Sequence, residues 1–222
     1  MRHLAEGIDR FRKEVFPGRA ELFARLATTH RPGTLFIGCS DARVVPELFT
    51  QAEPGDLFVV RTAGNLVPAH VPGEPGGGVA DGVVASVEYA VAVLGVADIV
   101  VCGHSACGAM TALAEGHDLS GVPAMGRWLR HADTALGRAT AAAGEPPEVA
   151  ALVRENVMVQ LAHLATHPPV ARALATGRVR LHGWVFDIAT GGVEDLTADA
   201  RRSPAAAADR STGQAQDAHT PR

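Results

Sequence analysis

Polar and apolar positions follow a helical period at the start of the chain. Leu4, Ile8 and Phe11 lie three or four positions apart among charged residues, which predicts an amphipathic helix over residues 2–15. After the break "FPGR", a second apolar stripe predicts another amphipathic helix over residues 19–29. Because each helix has an apolar face, both must pack on another surface.

Farther along, short apolar runs alternate with helical stretches. The runs "TLFIGCSD" (34–41), "DLFVVRTAGN" (56–65) and "ADIVVCGHS" (97–105) end in polar or glycine residues, which predicts strands buried on both faces. Helical patterns occupy residues 80–95, 107–116, 146–167 and 168–177. A last strand is predicted over 178–196, with a hairpin near Gly191 and Gly192. This alternation predicts an α/β fold in which helices flank a mainly parallel central β-sheet.

Composition places these elements in one domain. The chain has 222 residues, of which 47% are hydrophobic, enough to bury a single core. We predict one domain over residues 1–199, with a loop at the glycines and prolines of residues 72–82. Residues 200–222 are polar and alanine-rich without apolar periodicity, which predicts a disordered tail.

Charge and cysteine content restrict the partners and the location. Lys and Arg total 20 against 24 Asp and Glu, a net charge of −4, so no basic excess favours nucleic acid. No apolar window is long enough to span a bilayer, and the first residues carry charges throughout, unlike a signal peptide. Three cysteines are an odd number, typical of reduced thiols, and we expect a cytoplasmic protein.

The segment "CGHSACGAM" (102–110) carries the first candidate chemistry. Cys102 and Cys107 could form a redox pair, Cys107 could be a nucleophile served by His104, or His104 and Cys107 could bind a metal. A strand–turn–helix step places His104 and Cys107 at the carboxyl end of a strand, where functional groups of parallel sheets gather. The H-x-x-C spacing alone is a weak signal, equally compatible with a helix cap and a small core residue.

The end of a second strand favours the metal site over a helix cap and a small core residue. Cys39 ends the first predicted strand, and Asp41 and Arg43 follow it in "CSDAR". Two thiolates and an imidazole are a ligand set that Zn²⁺ prefers, and three protein ligands leave a fourth position for water. Asp41 beside Arg43 stays ionised, and it can accept a hydrogen bond from a metal-bound water or compete with that water as a ligand. A thiol nucleophile would leave Cys39 and Asp41 unexplained, and we interpret Cys102 as a small buried hydrophobe.

These motifs carry a family resemblance. In order and spacing, "CSDARVVPELF", "FVVRTAGN", "SVEYAV", "VVCGHSACGAM" and "LHGWVFDI" resemble the β-class carbonic anhydrases from about residue 20 to 196. The resemblance implies one zinc per subunit bound by Cys39, His104 and Cys107, with Asp41 and Arg43 as the catalytic dyad. It also implies N-terminal helices that pack on a dimer partner, a homodimer or higher even oligomer, and active sites at the dimer interface.

The implied activity is the reversible hydration of CO₂ to bicarbonate and a proton by zinc-bound hydroxide. In that mechanism Asp41, fixed by Arg43, accepts the hydrogen bond of the hydroxide and aims its lone pair at CO₂. Two alternatives keep the zinc site. One is hydrolysis of CS₂ or COS, and the other is a non-catalytic protein that binds zinc or bicarbonate.

The resemblance also assigns residues to the substrate cleft. By family position, Phe58, Ala63 and Tyr89 are expected to line an apolar cleft for CO₂. His30 stands where many members carry a Gln that helps to orient substrate, and a surface histidine at a helix end is the alternative interpretation. Core packing is the alternative for Phe58 and Tyr89.

One departure from the family bears on the state of the zinc. In some members the counterpart of Asp41 closes the fourth zinc position, and bicarbonate binds at a regulatory site. These members are expected to carry Trp and Tyr where this chain has Phe36 and Phe186. Arg61 retains the basic residue of that regulatory site. Without an indole N–H and a phenol O–H, a buried bicarbonate would lack donors. We therefore predict an open site with zinc-bound water, Asp41 being only a conditional fourth ligand.

Overall fold

The computed structural model describes residues 1–71, 81–143 and 146–198. Most of the loop predicted over residues 72–82 and all of the tail predicted over residues 200–222 lie outside this described part. Residues 81 and 82 belong to a helix instead of the loop.

Five strands form the central sheet in the order β2-β1-β3-β4-β5. Their bounds are β1 Thr34–Cys39, β2 Leu57–Thr62, β3 Asp98–His104, β4 Arg180–Phe186 and β5 Val193–Asp195. The first four strands are parallel, and β5 pairs antiparallel with β4, with Gly191 at a φ of 73° in the turn between them. The predicted mainly parallel α/β sheet and its terminal hairpin are confirmed.

Nine helices surround this sheet among the residues described. They are α1 Arg2–Arg10, α2 Ala20–Leu26, α3 Pro46–Thr50, α4 Asp81–Glu88, α5 Gly108–Ala114, α6 Pro123–Leu129, α7 Asp133–Ala143, α8 Val149–Thr166 and α9 Pro168–Ala175. π-helical segments continue α1 over Phe11–Val15 and α4 over Tyr89–Leu94. In this part of the chain, no helix has both the length and the apolar character to cross a membrane.

Three of these helices were not predicted from the sequence, namely α3, α6 and α7. The buried residues on and before α7 are Ala132, Ala135 and Ala139. Their small side chains do not form the stripe of large apolar residues from which the other helices were predicted.

Helix α8 packs closely on the middle of the sheet because two strand positions lack a side chain. A Cβ at Gly103 would lie 2.9 Å from Val157 Cγ2 and 3.0 Å from Val153 Cγ1, and one at Gly183 would lie 3.0 Å from Leu161 Cδ1. This close approach brings the polar residues of α8 next to the segment that follows β2.

The N-terminal helices leave an apolar face uncovered within the chain. No residue of α1 is buried, and Leu4 and Ile8 are 56% and 62% exposed. Phe11, Phe16 and Phe23 pack on one another, with ring centroids 5.4–6.1 Å apart. The amphipathic helices predicted at this end are therefore present, although α2 ends at Leu26.

Candidate metal centre

Two strand ends and one helix start bring together Cys39, His104 and Cys107. Cys39 is the last residue of β1, His104 is the last residue of the neighbouring parallel strand β3, and Cys107 immediately precedes α5. One side-chain ligand atom from each lies within 4.8 Å of the other two, and all three residues are buried. The structure therefore assembles the three residues that the sequence proposed as metal ligands.

The orientation of His104 fits metal binding. Its Nδ1 lies 2.9 Å from the carbonyl oxygen of Ser105, which can only accept, so Nδ1 carries the proton and Nε2 carries a lone pair. Nε2 is fully buried and has no hydrogen-bond partner among the described residues. A buried nitrogen without a partner is costly unless another group uses its lone pair, and a metal ion between it and the two sulfurs would do so.

The two thiols of the site interact directly. Hydrogen bonding with Cys107 is the largest of the effects that lower the pKa of Cys39 to about 4, against the opposing effect of burial. The same contact with Cys39, together with burial, raises the pKa of Cys107. These opposite shifts favour a thiolate at Cys39, and a divalent cation would require both thiols to be deprotonated because metal binding requires thiolates.

Asp41 and Arg43 form a doubly hydrogen-bonded pair beside these ligands. Arg43 donates from Nε to Oδ1 at 2.9 Å and from Nη2 to Oδ2 at 2.6 Å, and its backbone N–H donates to Oδ1 at 3.0 Å. These bonds hold the pKa of Asp41 well below its usual range. Asp41 Oδ2 lies 3.9 Å from His104 Nε2, so an ionised carboxylate borders the three ligands.

Arg61, which the sequence singled out as the retained basic residue of a bicarbonate site, contacts the backbone of the loop after β1. Its guanidinium donates to three backbone carbonyls, those of Cys39 at 3.1 Å, Asp41 at 2.6 Å and Val44 at 2.7 Å. Arg61 therefore holds the loop that carries the dyad.

Sequence reasoning missed three polar side chains that hold the segment after β2. Trp128 Nε1 donates to the Ala63 carbonyl at 2.9 Å, and Asn156 Nδ2 donates to the Gly64 carbonyl at 2.9 Å. Gln160 donates to Asn156 Oδ1 at 2.9 Å and accepts from the backbone N–H of Val67 at 2.8 Å. The spacing of Asn156 and Gln160, four positions apart in the apolar helix α8, is a signal that could have found two of them.

The four predicted cleft residues divide into two groups. Ala63 directly follows β2 next to the metal-ligand cluster, whereas His30, Phe58 and Tyr89 pack together with ring centroids 5.9–6.5 Å apart. Phe58 pairs with Leu35, four residues before Cys39, and is therefore about 13 Å along the strand from the thiols. Tyr89 is 43% exposed, whereas Phe58 is half-buried against the main core, so this aromatic group lies at the surface and apart from the chain's own metal-ligand cluster.

Cys102 stands apart from the metal-ligand cluster. It is a free cysteine, and it is buried with Phe36, Val100 and Phe186. Burial raises the pKa of its thiol to about 12, so it remains an unreactive thiol. Its packing is that of the small hydrophobe expected from the sequence.

Comparison with known proteins identifies the family. Residues 34–193 match the family model described as carbonic anhydrase. The chain is 55% identical to a carbonic anhydrase of Pseudomonas aeruginosa over 204 residues, which cover 91% of this chain and 90% of the relative. It is 52% identical to carbonic anhydrase 1 of Escherichia coli O157:H7 over 195 residues, or 87% and 86% of the two chains.

Comparison with solved structures indicates which class of carbonic anhydrase the chain resembles. The β-carbonic anhydrase CcaA superposes with a TM-score of 0.79 at 38% identity, covering 88% of this chain and 86% of that one. A structure from a study of two tetrameric β-carbonic anhydrases of Sordaria macrospora superposes with a TM-score of 0.75 at 29% identity, covering 88% and 95%. Sequence relatives along nearly the whole chain and structural neighbours of one fold agree, and the chain thus belongs to the β-class carbonic anhydrases, a class of lyases.

Proposed function

We propose that this chain catalyses the reversible hydration of CO₂ to bicarbonate and a proton, with one Zn²⁺ per subunit held by Cys39, His104 and Cys107. The observation that carries the proposal is the buried Nε2 of His104, which has no described hydrogen-bond partner and belongs to a ring that offers a ligand atom within 4.8 Å of both sulfurs. Two thiolates and one imidazole suit zinc, and a set of three protein ligands is typical of catalytic sites.

When bound, zinc supplies a water whose pKa falls from about 15.7 toward about 7. Asp41 is the acceptor for the attacking water, because it is ionised at neutral pH and its Oδ2 lies 3.9 Å from His104 Nε2. Each carboxylate oxygen has two lone pairs, so Oδ2 can accept this bond while it accepts from Arg43. The Asp41 contact orients the water oxygen toward the carbon of CO₂, and Arg43 prevents the carboxylate from turning.

We also propose that Asp41 is not a zinc ligand and that the fourth position is open to water. Both carboxylate oxygens already accept from Arg43, which favours Asp41 as a hydrogen-bond acceptor. Phe36 and Phe186 offer no side-chain donors to a bicarbonate, and Arg61 is committed to backbone carbonyls. These features disfavour a regulatory anion site of the kind associated with closed members.

A second subunit completes the proposed site. The uncovered apolar face of α1 provides a surface for a dimer partner, and one structural neighbour comes from a study of tetrameric β-carbonic anhydrases. We propose a homodimer or higher even oligomer in which His30, Phe58 and Tyr89 line the CO₂ cleft of the partner's zinc site. The position of this aromatic group at the surface, about 13 Å along the sheet from its own thiols, supports that arrangement.

Stopped-flow CO₂ hydration combined with zinc analysis tests the proposal. The native chain should contain one zinc per chain and hydrate CO₂ with a rate that rises with pH, while Cys39→Ser should lose both properties. Cys102→Ala is the matched control, because Cys102 is equally buried but lies in another cluster, and it should keep both. A fully zinc-loaded chain without pH-dependent hydration would contradict the activity, and undiminished activity in Cys39→Ser would contradict the ligand assignment.

A further inference from the structure

A single peptide unit connects a tryptophan to one of the proposed zinc ligands. The carbonyl oxygen of Ala63 accepts a hydrogen bond from Trp128 Nε1 at 2.9 Å. The N–H of the same peptide, which belongs to Gly64, donates to Cys39 Sγ at 3.4 Å. The order of groups is therefore indole N–H, peptide carbonyl, peptide N–H and sulfur.

We infer that Trp128 is a positioning residue that sets the electron density on the Cys39 sulfur through this peptide. Hydrogen bonds in a chain polarise one another, so a donor on the Ala63 carbonyl makes the Gly64 N–H a stronger donor. A stronger N–H···S bond withdraws charge from the thiolate, which then donates less charge to a bound metal. This inference rests on the proposed function, because it requires Cys39 to be a metal ligand.

The surroundings keep the peptide in this orientation. Gly64 has a φ of +72°, and a Cβ there would lie 3.0 Å from Met110 Cε and 3.1 Å from Ala109 Cβ. Glycine therefore allows both the backbone conformation and the close approach to α5. Asn156 donates to the Gly64 carbonyl at 2.9 Å and restrains the next peptide, so hydrogen bonds hold the peptides on both sides of Gly64.

The second tryptophan of the chain provides a matched control. Trp184 lies on β4 and packs near Phe36, with ring centroids 6.5 Å apart. Phe36 and Cys39 belong to different core clusters, on opposite faces of the sheet because side chains alternate along β1. Substituting Trp184 thus removes an indole of similar burial without touching the Ala63–Gly64 peptide.

The first experiment compares Trp128→Phe with Trp184→Phe by two spectroscopic measurements. In the metal-free protein, the Gly64 amide proton should move upfield in Trp128→Phe and stay in place in Trp184→Phe. In the Co²⁺-loaded protein, the thiolate-to-cobalt charge-transfer band should move to lower energy only in Trp128→Phe, because the sulfur becomes richer in electrons.

A second variant separates the lost N–H from lost packing. Site-specific incorporation of 3-benzothienylalanine at position 128 keeps the bicyclic shape and replaces the N–H by sulfur, so it should reproduce both spectral shifts. Shifts seen in Trp128→Phe but not with this analogue would overturn the inference, since packing would then be the cause. An unmoved Gly64 amide in both variants would also overturn it. If the native chain shows no cobalt–thiolate band, the proposed zinc site fails, whereas the Gly64 amide measurement still decides whether the hydrogen-bond chain exists.

Discussion

Arg43 donates to both carboxylate oxygens of Asp41, with Nε 2.9 Å from Oδ1 and Nη2 2.6 Å from Oδ2. The same Nη2 lies 3.1 Å from the carbonyl of Ala106, in the turn between His104 and Cys107, where Ala106 adopts a φ of 53°. One guanidinium therefore joins the loop after β1 to the turn after β3. Because these segments hold all three proposed ligands, Arg43 links the orientation of Asp41 to the geometry of the metal centre.

Arg43→Lys should keep zinc but lower kcat/KM by roughly a hundredfold. A lysine is a single point donor and cannot hold a carboxylate by two parallel bonds, and misplacing a reacting group by about 1 Å can reduce the rate by that factor. Stopped-flow hydration with zinc analysis measures both quantities. Arg154→Gln is the control, since Arg154 pairs with Glu194 on the surface. It should change neither the zinc content nor kcat/KM.

The pH dependence of the Arg43→Lys defect tests whether it arises from orientation. Arg43 lowers the pKa of Asp41, but even the unperturbed aspartate pKa of about 3.9 leaves the carboxyl ionised above pH 6. The defect should therefore be equal at pH 6.5 and pH 8.5. A defect that deepens as the pH falls would show that protonation of Asp41 causes it.

Gly103→Ala should destabilise the fold by about 1–3 kcal/mol, as overpacking does. The new methyl group would lie 2.9 Å from Val157 Cγ2 and 3.0 Å from Val153 Cγ1, so α8 would have to move off the sheet. Gly137→Ala is the matched control, because nothing lies within 4 Å of its Cβ position in α7, and it should raise the free energy of unfolding by about 0.5–1 kcal/mol. Urea unfolding measures both, and equal stability of the two variants would contradict the packing argument.

Asp98 should contribute stability that depends on pH. Arg180 donates to the two carboxylate oxygens of Asp98 at 2.9 Å each, and His182 Nε2 lies 2.7 Å from Oδ1. The contact with Arg180 is the largest of the effects that lower the pKa of Asp98. A carboxyl with a folded-state pKa below its unfolded value stabilises the fold above the unfolded pKa of about 3.9, and this contribution is lost as the pH falls through the folded value.

Asp98→Asn should therefore lower the melting temperature by about 3 °C at pH 7, and the difference from the native chain should shrink as the pH falls below about 4. Thermal unfolding followed by circular dichroism over this pH range measures it. Glu53→Gln is the control, because Glu53 pairs with Arg19 at an exposed position where an ion pair contributes little. A difference that grows on acidification would contradict the assignment.

The sequence predicted the elements whose residues carry large apolar side chains in a regular pattern. Strands β1 to β4 and helix α8 bury Val, Ile and Leu, so their periods were visible, and parallel pairing then placed Cys39 and His104 at neighbouring strand ends. By contrast, the residues that α7 buries in the core are small, namely Ala135 and Ala139. Alanine does not distinguish a buried position from an exposed one, and α7 was missed for that reason.

The supporting residues of the site were harder to find because their partners are backbone atoms distant in sequence. Trp128 and Asn156 donate to carbonyls 65 and 92 residues away, and neither contact leaves a local pattern. Arg61 was noticed for its charge alone, whereas its contacts are three carbonyl oxygens. Location in the cytoplasm and the domain boundary at residue 199 stay predictions.

The open zinc position is the last expectation that can be tested directly. X-ray absorption at the zinc edge near pH 7 should show two sulfurs, one nitrogen and one oxygen, without the outer carbon scattering of a bound carboxylate. Arg43 already donates to both oxygens of Asp41, so Asp41→Asn should leave this spectrum unchanged. The CO₂ hydration rate should fall by roughly a hundredfold or more, because a group that orients the reacting atoms is lost. Carboxylate scattering that disappears in Asp41→Asn would instead identify Asp41 as the fourth ligand. The absence of side-chain donors at Phe36 and Phe186 would then not determine whether the fourth zinc position is open.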